Sequence, residues 1–186
     1  MKRLFDILVS LAGLIILCPV MILVALAVRL DSPGPALFWS RRFGAHARLF
    51  AMPKFRSMRV GTPQMATHLL TGGSNALTGI GGFLRRSSLD ELPQLWSVLV
   101  GDMSLVGPRP ALFNQQDLME LRRAAGVDVL RPGITGWAQV NGRDELELHE
   151  KVAYERDYLR RQSLAFDVRI IFLTIGRVFK GSGISH

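Results

Sequence analysis

Residues 85–110 read RRSSLDELPQLWSVLVGDMSLVGPRP, and the rest of the chain is organised around them. The basic pair Arg85-Arg86 leads into two adjacent carboxylates, Asp90 and Glu91. An apolar run follows, closed by the stiff turn Gly107-Pro108-Arg109-Pro110. Acid beside base next to a rigid turn suits chemistry on a phosphate. A guanidinium grips phosphate oxygens in a planar fork, and a carboxylate can attack phosphorus or ligate Mg²⁺. The same residues also fit a structural role: Ser88, Leu89, Asp90 and Glu91 have the spacing of a helix capping box, and acidic residues favour a helix's first turn. The two roles are compatible, because a helix start also gathers phosphate. Pro93 is comfortable at a first helical position but costs a hydrogen bond deeper in, which moves the expected helix start from Ser88 to near Leu92. Leu92, Leu95, Trp96 and Leu99 then repeat at helical spacing and are expected in the core.

A chain of 186 residues can form one domain with a real core. Its net charge of +8 and pI of about 10.7 point to an anionic partner: nucleic acid, a membrane surface or a phosphorylated substrate. The mean hydropathy is positive despite that charge, which favours the membrane surface over nucleic acid. The single cysteine, Cys18, excludes an intramolecular disulfide, and no Cys/His spacing suggests zinc. His46, His68, His149 and His186 are scattered and are assigned no metal role.

Ile7 to Val28 is a run of 22 residues without a charge, long enough as a helix to cross a bilayer. No small-residue cleavage site bounds a short apolar region, which argues against a signal peptide. Three features argue against a simple crossing. Pro19 removes the helix hydrogen bond to the carbonyl of Ile15. Both flanks are basic: Lys2 and Arg3 precede the run, and Arg29, Arg41, Arg42, Arg48, Lys54, Arg56 and Arg59 follow it, so both ends are drawn to one side. Asp6 and Ser10 make the first turns polar. A helix broken at Cys18-Pro19 that enters and leaves by the same face satisfies all three, at the cost of a carbonyl that needs a donor in lipid. A kinked span satisfies the length alone, and on these residues both stay open.

Asp31-Ser32-Pro33-Gly34-Pro35 ends the helix. Leu37 to Arg42 and Leu49 to Phe55 read as the strands of a hairpin with Pro53 on an edge. Arg41 to Arg59 holds six basic residues and no acid, as expected of a solvated or headgroup-facing surface. Lys54 and Arg56 alternate with apolar residues, so both would lie on one face and could meet the same anion. Residues 61–82 read as loop with one helical turn near Met65 to Leu70, and Gly79, Gly81 and Gly82 lack the Lys-Ser/Thr that completes a phosphate-binding loop. Ala111 to Ala125 reads as an amphipathic helix. The loop from Leu130 to Arg143 is stiffened by Pro132, Gly133 and Gly136 and offers Gln139, Asn141 and Arg143 as polar groups, the kind of loop that carries a site or braces a core. Leu146 to Arg161 reads as a charged, solvent-facing helix. Phe166 to Lys180 has an apolar face suited equally to a membrane interface or to a core.

Five segments in this order carry a resemblance: Lys2-Arg3-Leu4-Phe5-Asp6, Lys54-Phe55-Arg56-Ser57-Met58, Ser88 to Leu95, Gly101 to Pro110, and the Arg131 to Arg143 loop. Together they resemble the bacterial sugar transferases, the monotopic polyprenyl-phosphate phosphoglycosyl transferases, over nearly the whole chain. The length looks like the small catalytic form, without the extra membrane helices of larger members. Two departures stand out: Cys18-Pro19 where the family often has Ser-Pro, and Ala47 where a glycine is common.

The resemblance implies an α/β, mainly helical fold. A re-entrant membrane helix broken at Pro19 would occupy residues 1–30. A compact catalytic domain with a small β-hairpin and interfacial amphipathic helices would occupy residues 31–186, on the cytoplasmic face of the bacterial inner membrane. The implied reaction moves a sugar 1-phosphate from a UDP-sugar to undecaprenyl phosphate and releases UMP, the opening step of glycan assembly such as O-antigen, capsule, exopolysaccharide or glycoprotein. Asp90 matches the family nucleophile. Glu91 is its catalytic neighbour, and Mg²⁺ is expected at the Asp90–Glu91 pair. Lys54, Arg85 and Arg109 are the expected phosphate contacts; Arg143, Gln139 and Asn141 are expected at the nucleotide or sugar. Nearby arginines are expected to lower the pKa of Asp90. Membrane lipids are implied as partners. A nucleic-acid binder would fit the charge but lacks any recognised module. A membrane-bound scaffold would not explain carboxylates set among arginines.

Overall fold

The computed structural model describes residues 1–63, 76–142 and 146–180, with side chains as far as Arg177. Arg143 and the turn expected near Met65 to Leu70 lie outside the described residues. The chain is mixed α/β and mainly helical. Its elements are α1 (Lys2–Asp31), β1 (Leu37–Phe43), β2 (Leu49–Phe55), α2 (Gly81–Arg86), α3 (Gln94–Val100), β3 (Ser104–Val106), α4 (Gln116–Ala124), β4 (Gly133–Thr135), α5 (Leu148–Arg161) and α6 (Leu164–Lys180). Single 3₁₀ turns lie at Ala45–Ala47 and Leu89–Glu91.

The expected hairpin forms: β1 pairs antiparallel with β2 from Leu37 opposite Phe55 to Phe43 opposite Leu49. Pro53 faces Trp39 in a sheet of two strands, where each strand is an edge and a missing donor is tolerated. Ala47 in the hairpin loop has φ +57°, the left-handed region that glycine occupies more cheaply, so an alanine there carries a backbone cost.

A second pairing has no counterpart in the sequence reading. β3 runs parallel to β4, with Ser104 opposite Gly133 and Val106 opposite Thr135. Each strand has three residues, too few to show a period of two. A Cβ on Gly107 would collide with the carbonyl of Arg131, and one on Gly133 with the amide of Gly107, so only glycine lets these backbones meet.

α1 stays helical from Lys2 to Asp31 with Pro19 in its interior. The break expected at Cys18-Pro19 is therefore not an interruption: the proline removes one bond of the ladder, and the turns on either side keep the backbone helical. Both ends of α1 are clamped to the globular body. At the start, Lys2 Nζ donates to Asp167 Oδ2 at 2.7 Å and to the Val106 carbonyl at 3.1 Å. Arg3 donates to the carbonyls of Val98 and Leu99, which end α3, and Asp6 accepts from Ser104 Oγ and the Leu105 amide. At the far end, Arg56 donates to the carbonyls of Ser32 and Pro33 at 2.7 and 2.6 Å, Asp31 accepts from the Ile80 amide, and Val24 and Val28 pack with Phe55 and Leu84. Between the clamps, Ile15, Ile16, Cys18, Pro19 and Val20 are exposed.

Four further expectations are corrected. No capping box forms at Ser88, which has φ +56° and no side-chain cap; the helix instead starts at Gln94 behind Pro93. On α3 it is Gln94, Ser97 and Val98 that are buried, whereas Trp96 is half exposed, because Leu95 meets Gly13 of α1 and fixes the helix's rotation. α4 begins at Gln116 rather than Ala111, since residues 111 and 112 are engaged by β1: Phe43 N donates to the Ala111 carbonyl, and Leu112 bridges Arg42. α5 is not simply solvent-facing, because Val152, Glu155 and Tyr158 are buried. α6 has one face in the core and one exposed. Phe166 and Ile170 join the core of Met52, Val98, Met103, Val106 and Tyr158, while Phe172, Leu173 and Ile175 are exposed.

Candidate active site

β2 and the Leu89–Glu91 turn bring Lys54 to the paired carboxylates. Lys54 Nζ lies 2.7 Å from Glu91 Oε1 and 4.0 Å from Asp90 Oδ2. Asp90 is only 6% exposed. Ser88, just before the turn, is held in the left-handed region at φ +56°, a conformation that costs a non-glycine residue about 1 kcal/mol or more. This left-handed residue lies two positions before the buried Asp90. Arg85, on α2, donates through Nε to Ser57 Oγ at 3.1 Å, and its charge acts on both Asp90 and Glu91.

Burial dominates the electrostatics. The Asp90 carboxyl is pushed up to about 6 by loss of solvent, with Glu91 adding to the rise and Lys54 and Arg85 opposing it. This reverses the expectation that the arginines set a low value: the cations are present, but desolvation outweighs them. Burial also lowers Arg85, against the pull of the two carboxylates. Arg42, on β1, is lowered to about 10 by burial and by the neighbouring charge of Arg109, with Glu91 opposing. Arg42 thus belongs to the same cluster. In the sequence Arg42 is one of six basic residues around the hairpin, next to Arg41, and no spacing singles it out.

The turn that carries Arg109 is held carbonyl by carbonyl. The Pro108 carbonyl accepts from Gly133 N at 2.8 Å, that of Arg109 from Arg122 Nη2 at 2.9 Å, that of Pro110 from Arg42 Nη1 at 3.1 Å and that of Ala111 from Phe43 N at 2.9 Å. Pro108 and Pro110 have no N–H and fixed φ, so little backbone freedom remains around Arg109. The charge of Arg109 is thereby presented next to that of Arg42 at small entropic cost.

The remaining expected residues do not join the cluster by any described contact. Gln139 Nε2 donates to the Ile134 carbonyl and Asn141 Nδ2 to that of Trp137, so both amides brace their own loop. Gln139 Oε1 is buried with no hydrogen-bond partner. Arg56 is buried against the end of α1, where its guanidinium is engaged by the carbonyls of Ser32 and Pro33.

Among the described residues no group of three or more His, Cys, Asp or Glu side chains comes together. Mg²⁺ commonly takes one or two carboxylates and completes its shell with phosphate oxygens and water. Asp90 and Glu91 fit that requirement, with Lys54 already compensating Glu91.

A family model described as bacterial sugar transferase matches residues 1–181. The chain is 43% identical over 188 residues to UDP-glucose:undecaprenyl-phosphate glucose-1-phosphate transferase of Escherichia coli, covering 97% of this chain and 40% of that protein. It is 45% identical over 185 residues to the protein of the same name from Xanthomonas campestris pv. campestris, covering 95% and 38%. To undecaprenyl-phosphate galactose phosphotransferase of Salmonella typhimurium it is 37% identical over 201 residues, covering 98% and 41%. The chain spans about two fifths of the length of these relatives.

Proposed function

This chain belongs to the bacterial sugar transferase family, and we propose that it moves a sugar 1-phosphate from a UDP-sugar to undecaprenyl phosphate, releasing UMP, through a phosphosugar carried on Asp90. The observation that carries this reading is a buried carboxylate with an ammonium 4.0 Å away and guanidinium charges around it. In the first half-reaction an Asp90 oxygen forms a bond to the β-phosphorus, the bond from that phosphorus to the bridging oxygen breaks, and UMP leaves with the electron pair. In the second, a phosphate oxygen of the lipid attacks the same phosphorus and Asp90 leaves as carboxylate. Two small displacements let one site serve a soluble and a membrane substrate in turn.

Lys54, Arg85, Arg42 and Arg109 supply the positive charge that lets an anionic nucleophile approach an anionic diphosphate. Arg109 grips phosphate with a planar fork on a backbone already fixed. Glu91 orients Lys54 and accepts a proton from a monoanionic lipid phosphate. Asp90 and Glu91 would hold Mg²⁺, which supplies charge neutralisation to the diphosphate when bound. Arg143, Gln139 and Asn141 are assigned to the nucleotide and sugar.

The two clamps on α1 support a topology in which the helix enters and leaves by one face. A helix crossing the bilayer would leave one end without the globular body, yet the Lys2–Arg3–Asp6 end and the Asp31–Ser32–Pro33 end both bond to it. The exposed middle, Ile15 to Val20, is then the part that meets lipid while both ends stay with the globular body, and the catalytic domain lies on the cytoplasmic face of the inner membrane. Exposed Phe172, Leu173 and Ile175 on α6 add an interfacial contact.

The test is release of UMP by purified protein in detergent from UDP-glucose, UDP-galactose and N-acetylated UDP-sugars, with a short-chain polyprenyl phosphate. Transfer from one of them is expected. Tight binding to acidic vesicles without turnover of any donor would favour a scaffold instead.

A further inference from the structure

We propose that Arg122, locked by Glu155, is a positioning residue that fixes Arg109 for its phosphate; the inference rests on the reading of Arg109 as a phosphate contact. Arg122 sits on α4 and Glu155 on α5, and they are 4% and 2% exposed. Their contact is two-pronged: Arg122 Nε donates to Glu155 Oε2 at 2.8 Å and Nη2 to Oε1 at 2.5 Å. The same Nη2 donates to the Arg109 carbonyl at 2.9 Å.

Stability alone does not account for such a pair. Two charges this deeply buried lose most of their attraction to desolvation, and an apolar pair of similar shape commonly serves as well or better. An apolar pair cannot donate to a carbonyl. Of the four successive carbonyls at this turn, those of Pro108 and Ala111 are held by backbone amides and that of Pro110 by Arg42. The one peptide oxygen belonging to the residue that carries the guanidinium is held by Arg122. Glu155 fixes the plane of Arg122 through both oxygens, which aims Nη2 at that carbonyl. The chain thus runs from Glu155 through Arg122 to the backbone of Arg109, with neither partner touching substrate.

The experiment is a double-mutant cycle. Arg122→Met with Glu155→Leu removes both charges together and keeps apolar bulk. Kinetics of UMP release, UDP binding by calorimetry and thermal melting are compared in the wild-type and the Arg109→Ala backgrounds. With Arg109 present, kcat/KM and UDP affinity are expected to fall about tenfold. With Arg109 already removed, the further fall is expected to be less than about twofold, because nothing remains to be positioned. Equal losses in both backgrounds would show a general structural role and overturn the inference, as would unchanged kinetics in a folded variant. Should the Met/Leu variant fail to fold, Arg122→Lys carries the same comparison, since an ammonium keeps the ion pair but lacks the fork. Wild-type protein that binds UDP but turns over no UDP-sugar would sink the proposed reaction while the binding arm still judges Arg122; wild-type protein that binds no UDP would sink both.

Discussion

Lys54 divides its charge unevenly between two neighbouring carboxylates: its ammonium makes a 2.7 Å hydrogen bond to Glu91 and stands 4.0 Å from Asp90. Glu91 is neutralised by direct contact. Asp90 feels the field but keeps its oxygens unencumbered by that lysine, the arrangement a nucleophile needs. The division has a consequence for pH. With Asp90 pushed up to about 6, UMP release should rise as pH increases through about 6, because only the ionised carboxylate attacks. Lys54 opposes the upward shift, so Lys54→Met should move the acid limb of the pH–rate profile to higher pH. A limb unmoved by that substitution would dissociate Lys54 from Asp90.

The raised value also predicts a stability cost. An acid whose folded pKa exceeds its unfolded value binds more protons when folded, so stability falls as pH rises from about 4 to 6. A shift from 3.8 to about 6 corresponds to roughly 3 kcal/mol at neutral pH. Asp90→Asn should therefore melt several degrees higher than wild type at pH 7.5 in EDTA, and close to wild type at pH 4, while losing activity at both. Equal melting differences at the two pH values would contradict the burial of a charged Asp90.

Arg56 is expected to behave differently from Lys54, although the two are neighbours but one on the hairpin. Its guanidinium satisfies the carbonyls of Ser32 and Pro33 at the end of α1 and is 5% exposed. Arg56→Met should cost about 2 kcal/mol or more in thermal stability. The activity remaining in the folded fraction should keep a near wild-type KM for the UDP-sugar. A large KM effect without destabilisation would place Arg56 at the substrate after all.

Topology can be read by labelling. Leu4 and Leu30 are exposed near opposite ends of α1. In a Cys18→Ser background, Leu4→Cys and Leu30→Cys should both react with a membrane-impermeant maleimide in inside-out vesicles and neither in right-side-out vesicles. Cys18 of the wild type should resist the reagent from both sides. Labelling of the two ends from opposite sides would establish a crossing helix.

Much of the candidate site's composition was legible in the chain because its signals are local. The adjacent carboxylates, the Pro-Arg-Pro turn and the alternation around Lys54 needed no tertiary information. What stayed hidden depends on geometry that spacing does not encode. Arg42 looks like any hairpin cation until the β1 register sets it against Pro110 and beside Arg109. The direction of the Asp90 shift depends on burial, whereas the sequence displays only neighbouring charges. Ser88 resembles a helix cap, but a left-handed backbone prevents its hydroxyl from acting as one. β3 and β4 are too short for any pattern, and are joined by two glycines whose close approach appears only in three dimensions. Trp96 repeats at helical spacing with core residues, yet the packing of Leu95 on Gly13 turns it outward.

The central claim is that Asp90 carries the sugar phosphate between donor and lipid. The most direct measurement is single-turnover reaction with a UDP-sugar labelled in the sugar, without lipid acceptor, followed by acid quench and peptide mass spectrometry. The covalent scheme predicts one equivalent of UMP per active site and a phosphosugar adduct on the peptide containing Asp90, absent from Asp90→Asn and discharged when polyprenyl phosphate is added. An adduct on another side chain, or wild-type transfer by Asp90→Asn, would contradict it.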